Sequence, residues 1–122
     1  MNEGLKPARR GSAALEKHYR FLLWLVPTVE KFPRAQKFTL GDRIQGTALD
    51  VLDGLTEANY SRDCIPALSQ VNLRLERLRL LFRLSLDLRL LDPRRYEFAA
   101  RALDEIGRLV GGWIRASRAA PA

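Results

Sequence analysis

Apolar side chains recur at three- and four-residue steps in four separate stretches of this chain, and each stretch is bounded by helix start or stop signals. In the first, Leu15, Tyr19, Leu22, Leu23, Val26, Val29 and Phe32 share one helical face. This predicts a helix over residues 12–32, with Ser12 as its N-cap and Pro33 as its stop. Pro27 falls late in that run and should kink the helix or remove one hydrogen bond without ending it. In the second, Ile44, Ala48, Val51, Leu52, Leu55 and Ala58 form a stripe over residues 40–60. Thr39, with Asp42 three residues on, resembles a capping box. Gly46 and Gly54 weaken this helix by about 1 kcal/mol each relative to Ala and would permit close helix approach.

The third stretch, residues 65–91, opens with Asp63 as a cap and Pro66 in the first turn. Leu84, Leu86, Leu88 and Leu90 alternate, which is a strand-like period. Yet residues 69–91 contain no Gly or Pro and one β-branched residue, Val71, and are otherwise rich in helix formers. The helix is the better reading. The fourth stretch, residues 93–117, starts at Asp92-Pro93, an N-cap followed by a first-turn proline. Phe98, Ala99, Ala102, Leu103, Ile106, Val110 and Trp113 form its apolar arc. Four helices with short connections imply an all-α, up-down antiparallel four-helix bundle over residues 12–117. Residues 1–11 read as a mobile basic tail and residues 118–122 as a frayed end.

The third helix carries two apolar arcs. Leu68, Val71, Leu75, Leu78, Phe82 and Leu86 share one, while Leu73, Leu80, Leu81, Leu84, Leu88 and Leu91 share another on the far side. A surface helix needs only one such stripe. The second is either a subunit interface, predicting a homo-oligomer, or the mark of a helix central to its own bundle. On the fourth helix, Gly107 and Gly111 put bare backbone on one face, which suits close packing of another helix or subunit or merely weakens the helix. Trp113 nearby reads as a core or interface anchor.

The fourth helix also carries Arg94, Arg101, Arg108 and Arg115 at seven-residue spacing. They drift little around the axis and so line one stripe about 30 Å long. A row of guanidinium groups matches a phosphate backbone, because each can donate two hydrogen bonds to one phosphate. The same residues also fit ordinary i,i+4 pairs, Glu97 with Arg101 and Asp104 with Arg108. The whole chain has 21 Lys and Arg against 14 Asp and Glu, a formal net charge of +7. Such an excess attracts polyanions: nucleic acid, an acidic protein surface or an anionic membrane. With 47% hydrophobic residues the 122-residue chain is globular, not disordered.

The candidate chemistry is sparse. His18 is the sole histidine and Cys64 the sole cysteine, so no intrachain disulfide is possible. A di-metal bundle needs Glu-x-x-His pairs, which do not occur. No Gly-rich phosphate loop or nucleophile elbow is present. Asp50, Asp53 and Glu57 read as a solvated acidic face, and Cys64 as inert packing. The reading is therefore a binding protein, with no catalytic residue, cofactor or metal. The apolar run Phe21 to Val26 stops at Pro27, too short for a secretory signal or a membrane span. A cytoplasmic protein without membrane contact is expected.

Two stretches carry a family resemblance. Glu105-Ile106-Gly107-Arg108-Leu109-Val110-Gly111-Gly112-Trp113-Ile114 resembles the C-terminal motif of the accessory variability determinant (Avd) proteins of diversity-generating retroelements. Tyr19, Leu25-Val26-Pro27 and Phe32-Pro33-Arg34 are similar to their opening helix, internal proline included. The wider superfamily is the four-helix proteins encoded in intervening sequences of bacterial 23S ribosomal RNA, which Phe38-Thr39-Leu40 also fits. Those proteins typically carry Ser-Ile-Pro-x-Asn-Ile-Ala-Glu-Gly in the second helix. Here that place is taken by Leu49-Asp50-Val51-Leu52-Asp53-Gly54-Leu55, which favours the retroelement branch.

The resemblance implies a ring-like homo-oligomer, a pentamer of four-helix bundles around a channel with basic lining. It implies binding to the retroelement's reverse transcriptase and to nucleic acid, RNA or DNA, during mutagenic retrohoming, without chemistry of its own. The alternative is a 23S intervening-sequence type of protein, whose role would be binding folded RNA. The candidate nucleic-acid contacts are Arg74, Arg77, Arg79 and Arg83 on the third helix and Arg94, Arg101, Arg108 and Arg115 on the fourth. The candidate oligomer contacts are Leu73, Leu80, Leu84, Leu88, Leu91, Gly107, Gly111 and Trp113.

Overall fold

A computed structural model describes residues 10–119. It contains four long helices: α1 (Arg10–Glu30), α2 (Asp42–Tyr60), α3 (Ile65–Asp87) and α4 (Pro93–Ala119). There is no strand among the described residues. Each helix packs on its chain neighbours, and α4 closes back onto α1. The cross-helix contacts show antiparallel neighbours. Gly11 of α1 faces Asn59 of α2, Cys64 before α3 meets Ser117 of α4, and Lys17 and Trp24 of α1 meet Glu105 and Phe98 of α4 in reverse order. The chain is thus an up-down four-helix bundle.

The inner arcs predicted for α2, α3 and α4 are largely the ones buried, Phe98 at 49% exposure excepted. The predicted face of α1 is corrected: Tyr19 and Leu23 are 52% and 61% exposed. The buried stripe of α1 runs through Ala14, His18, Phe21, Leu25 and Val29 to Phe32, a three- and four-residue period that the polar His18 hides in the sequence. Leu25, Val29, Ile44, Ala48, Val51, Leu55, Leu68, Val71, Leu75, Leu78, Ala99, Leu103, Ile106 and Val110 are all 3% exposed or less. Complete burial of each large side chain contributes about 1.5–3 kcal/mol. One end of the core is aromatic. The Phe21 ring lies 5.7 Å from Trp24 and 6.0 Å from Phe82, and Trp24 lies 4.7 Å from Phe98, so α1, α3 and α4 share one cluster.

Several helix ends differ from expectation. The first helix is already formed at Arg10, so Ser12 lies inside it and is not its cap. Arg10 and Gly11 therefore do not belong to a tail; the remainder of that expected tail, residues 1–9, lies outside the described residues. Pro27 stays within α1, which runs to Glu30 and closes with tight bonds from Lys31 and Phe32 N–H to the Thr28 and Val29 carbonyls. The chain re-enters helix directly after Pro33, through a short turn (Arg34–Gln36) and a π-helical turn (Lys37–Gly41) leading into α2. Thr39 sits within that turn. Its hydroxyl donates backward to the Ala35 and Gln36 carbonyls, so it caps nothing. The wide turn leaves Phe38 exposed.

At the end of α3 the leucine pattern continues but the helix does not. Arg89 adopts φ 63°, and the Leu90 N–H donates to the Ser85 carbonyl at 2.8 Å. This is a left-handed helix stop of the kind glycine usually makes. An L-residue there costs roughly 1–2 kcal/mol. Leu91 then turns inward, 4% exposed. The other predicted starts hold. The Asp63 carboxylate accepts from Ile65 N–H, and Asp92 accepts from Arg95 N–H at 2.8 Å. The fourth helix continues through Arg118 and Ala119, where fraying was expected; residues 120–122 lie outside the described ones.

Of the two α2 glycines, Gly54 alone marks a close approach. A Cβ there would stand 2.6 Å from Val71 Cγ2, whereas one at Gly46 would meet nothing within 4 Å. His18 is fully buried, and its Nε2–H donates to the Ala48 carbonyl at 2.8 Å, leaving Nδ1 without a partner. Burial pushes its pKa below the ordinary imidazole value, and the hydrogen bond to Ala48 opposes that only in part.

Two stability predictions follow from these contacts. Gly46→Ala should stabilise by about 0.5–1 kcal/mol, while Gly54→Ala should destabilise by about 1 kcal/mol or more through overpacking on Val71; urea titrations read both. Because His18 is neutral in the fold, the unfolded state alone takes up its proton as pH falls through about 6.5, so stability declines from there downward. Thermal melts between about pH 7.5 and about pH 5.5 should show that decline, and His18→Gln should remove most of it.

Candidate nucleic-acid interface

The apolar arc of α4 decides where its arginines go. With Ala99, Leu103, Ile106 and Val110 turned into the core, residues on the opposite azimuth must face solvent. Arg94, Arg101, Arg108 and Arg115 occupy that azimuth, and all four are exposed. Their ion pairing is thinner than the sequence suggests. Arg101 meets Glu97 at 3.2 Å, as its spacing predicts. The expected Asp104–Arg108 pair does not form. Asp104 instead faces Arg79 of α3 at 3.6 Å, and Glu105 is held by Lys17 of α1 at 2.8 Å. That hydrogen bond is the main reason the Glu105 carboxyl titrates below its usual range, with the Arg108 charge adding to it. Arg94, Arg108 and Arg115 pair with no described carboxylate.

A groove of about 560 Å³ runs between α3 and α4, lined by Asn72, Glu76, Arg79, Asp104, Arg108 and Arg115 over Gly107 and Gly111. Of these glycines, Gly107 alone is closely approached by an arginine. A Cβ at Gly107 would stand 2.9 Å from an Arg79 guanidinium nitrogen, and one at Gly111 3.5 Å from Arg115. Arg79 lies down on that bare backbone, donating to Glu76 at 2.7 Å and to the Leu103 carbonyl at 3.3 Å. Within the single chain Gly107 thus lies under Arg79, and Gly111 sits in the same arginine-lined groove.

The four α3 arginines do not form one cluster. Arg79 joins the α4 row. Arg74 lies on the opposite flank, half-buried in a groove with Gly54, Glu57 and Gln70. Arg77 and Arg83 are exposed without an ion pair to a described carboxylate. Between these flanks Leu73, Leu80, Leu84 and Leu88 are 45–61% exposed, a large apolar strip for a helix already buried on its other face. Leu91 and Trp113 do not belong to that surface. Leu91 packs in the core beyond the helix stop, and the Trp113 ring lies against the backbone at Gly11. Both side chains are consumed inside the monomer.

Sequence reasoning passed over Phe38. It is 58% exposed, with the Lys37 ammonium 5.4 Å and the Arg34 guanidinium 5.9 Å from its ring centre. The signal was available, because Arg34 and Lys37 stand close to Phe38 in the sequence, but the ring's direction depends on the π-helical turn. The described residues hold no group of three potential metal ligands, and none of their helices is long and apolar enough to cross a membrane.

No curated protein and no solved structure gives a match to this chain. A family model described as bAvd-like matches residues 13–117, which span all four helices. The chain therefore belongs to the bAvd-like family.

Proposed function

We propose that this protein is a non-enzymatic accessory subunit of a diversity-generating retroelement, binding nucleic acid and the reverse transcriptase through its basic surface. Family membership over residues 13–117 supports the accessory role. The observation that carries the nucleic-acid half is the α4 row, in which Arg94, Arg108 and Arg115 stand exposed and make no ion pair with a described carboxylate. Guanidinium groups held on a rigid helix can meet successive phosphates without reading bases, so binding is electrostatic and tolerant of sequence. Template RNA or cDNA held in this way stays near the polymerase.

The leucine strip of α3 supports self-association. Leu73, Leu80, Leu84 and Leu88 would leave water in a ring-like homo-oligomer, for which five copies is the number the family resemblance implies. Symmetry would then repeat the arginine row around the ring and sum its field. Arg77, four residues after Leu73 and three before Leu80, lies within the strip, and Arg83 lies to one side of it, so both would fall at or near the contact between copies.

Three measurements test this. Binding of duplex or single-stranded nucleic acid should weaken linearly in log–log salt titrations, losing roughly 0.7–0.9 of slope for each phosphate contact removed. A fourfold Arg94/Arg101/Arg108/Arg115 to Glu variant should fold normally, lose nucleic-acid binding at physiological salt and fail to retain the reverse transcriptase in a pull-down; full retention of both would refute the reading. A Leu80→Glu, Leu84→Glu variant, altering only exposed positions, should keep its helicity and shift to monomer in light scattering. An unaltered parent already monomeric at high concentration would defeat the oligomer.

A further inference from the structure

A cavity of about 610 Å³ lies away from the α4 row, where the end of α1 meets the connection between α3 and α4. Leu86, Leu90 and Pro93 supply apolar wall, and Lys31, Arg89 and Arg95 supply cations. Asp92, the one carboxylate in the lining, is already engaged by the Arg95 guanidinium and the Arg95 N–H. Lys31 and Arg89 make no ion pair with a described carboxylate. The cavity thus combines apolar surface with two uncommitted positive charges.

Arg89 is the unusual member. It stands at φ 63°, the left-handed helix-stop position that glycine fills without strain. It is the sole non-glycine residue with positive φ among those described. Strain kept at a cavity rim, on a side chain with no partner of its own, points to a ligand that the side chain serves.

We infer that this end cavity takes one unpaired nucleotide of a single-stranded nucleic acid, its base against the leucine and proline wall and its phosphate on Arg89 and Lys31. This rests on the proposed nucleic-acid role and adds a second contact to it. A duplex keeps its bases stacked inside and has none to insert. The same end of the bundle also carries exposed Phe38 with the Arg34 guanidinium and the Lys37 ammonium over its ring, which adds positive charge near the cavity.

Arg89→Gly separates the two effects of this residue. It relieves the backbone, so the variant should melt roughly 3–5 °C above the parent. It removes a phosphate contact, so affinity for labelled oligothymidylate or oligouridylate, read by fluorescence anisotropy, should fall by about fivefold or more, with a salt slope lower by about 0.7. Arg89→Lys should keep most of the affinity and none of the added stability. Duplex of the same length should bind the parent and Arg89→Gly almost equally. Single-strand affinity unchanged in Arg89→Gly, or an equal loss for duplex, overturns the inference, as does a glycine variant no more stable than the parent. A parent that binds no oligonucleotide at all would instead remove the underlying nucleic-acid reading.

Discussion

Residues seven apart on an α-helix return to nearly the same azimuth, and in this bundle that rule works together with a single-sided core. Once Ala99, Leu103, Ile106 and Val110 are buried, α4 has one direction left for Arg94, Arg101, Arg108 and Arg115. The hydrophobic core thereby aims the charges. No loop geometry or side-chain network is needed to collect them, and no other register of α4 would bury the apolar arc while keeping four guanidinium groups in water. The packing that stabilises the fold and the layout of its charged surface are one constraint seen from two sides.

On α3 the same constraint leaves a surplus. Its inner arc fills the core through Leu68, Val71, Leu75, Leu78 and Phe82, yet Leu73, Leu80, Leu84 and Leu88 remain outside. Arginines flank this strip, with Arg79 toward α4 and Arg74 toward α2, and exposed Arg77 interrupts it between Leu73 and Leu80. An apolar strip bordered by guanidinium groups differs in kind from the charged row on α4. The first suits contact with a protein surface, the second contact with a polyanion.

The helices themselves were legible because apolar periodicity over twenty or so residues outweighs local ambiguity. Asp92-Pro93 marked its boundary correctly because a cap and a first-turn proline are local chemistry. The end of α3 was not legible. Leu88, Leu90 and Leu91 continue a plausible pattern, and only the backbone at Arg89 reveals that the helix has stopped. The turn around Phe38 escaped for a similar reason, since a π-helical turn shifts the register by one residue without a compositional sign. Among the candidate contacts, exposure of the α4 row could be read from spacing. The partners could not. Asp104 sits four residues before Arg108, but its neighbour is Arg79, brought from twenty-five positions away by tertiary packing. Leu91 and Trp113 were misplaced because an apolar residue near a surface stripe looks the same in sequence as one behind it.

Arg79 lying on Gly107 ties two helices together at a point where one of them carries no side chain. The guanidinium works as a latch between two helices, reaching the Leu103 carbonyl across backbone that any side chain at 107 would cover. A side chain at residue 107 would press on the Arg79 nitrogen that reaches Leu103, while the bond to Glu76 is made by the other terminal nitrogen. Bulk at residue 107 and the reach of residue 79 thus compete for the same space on α4.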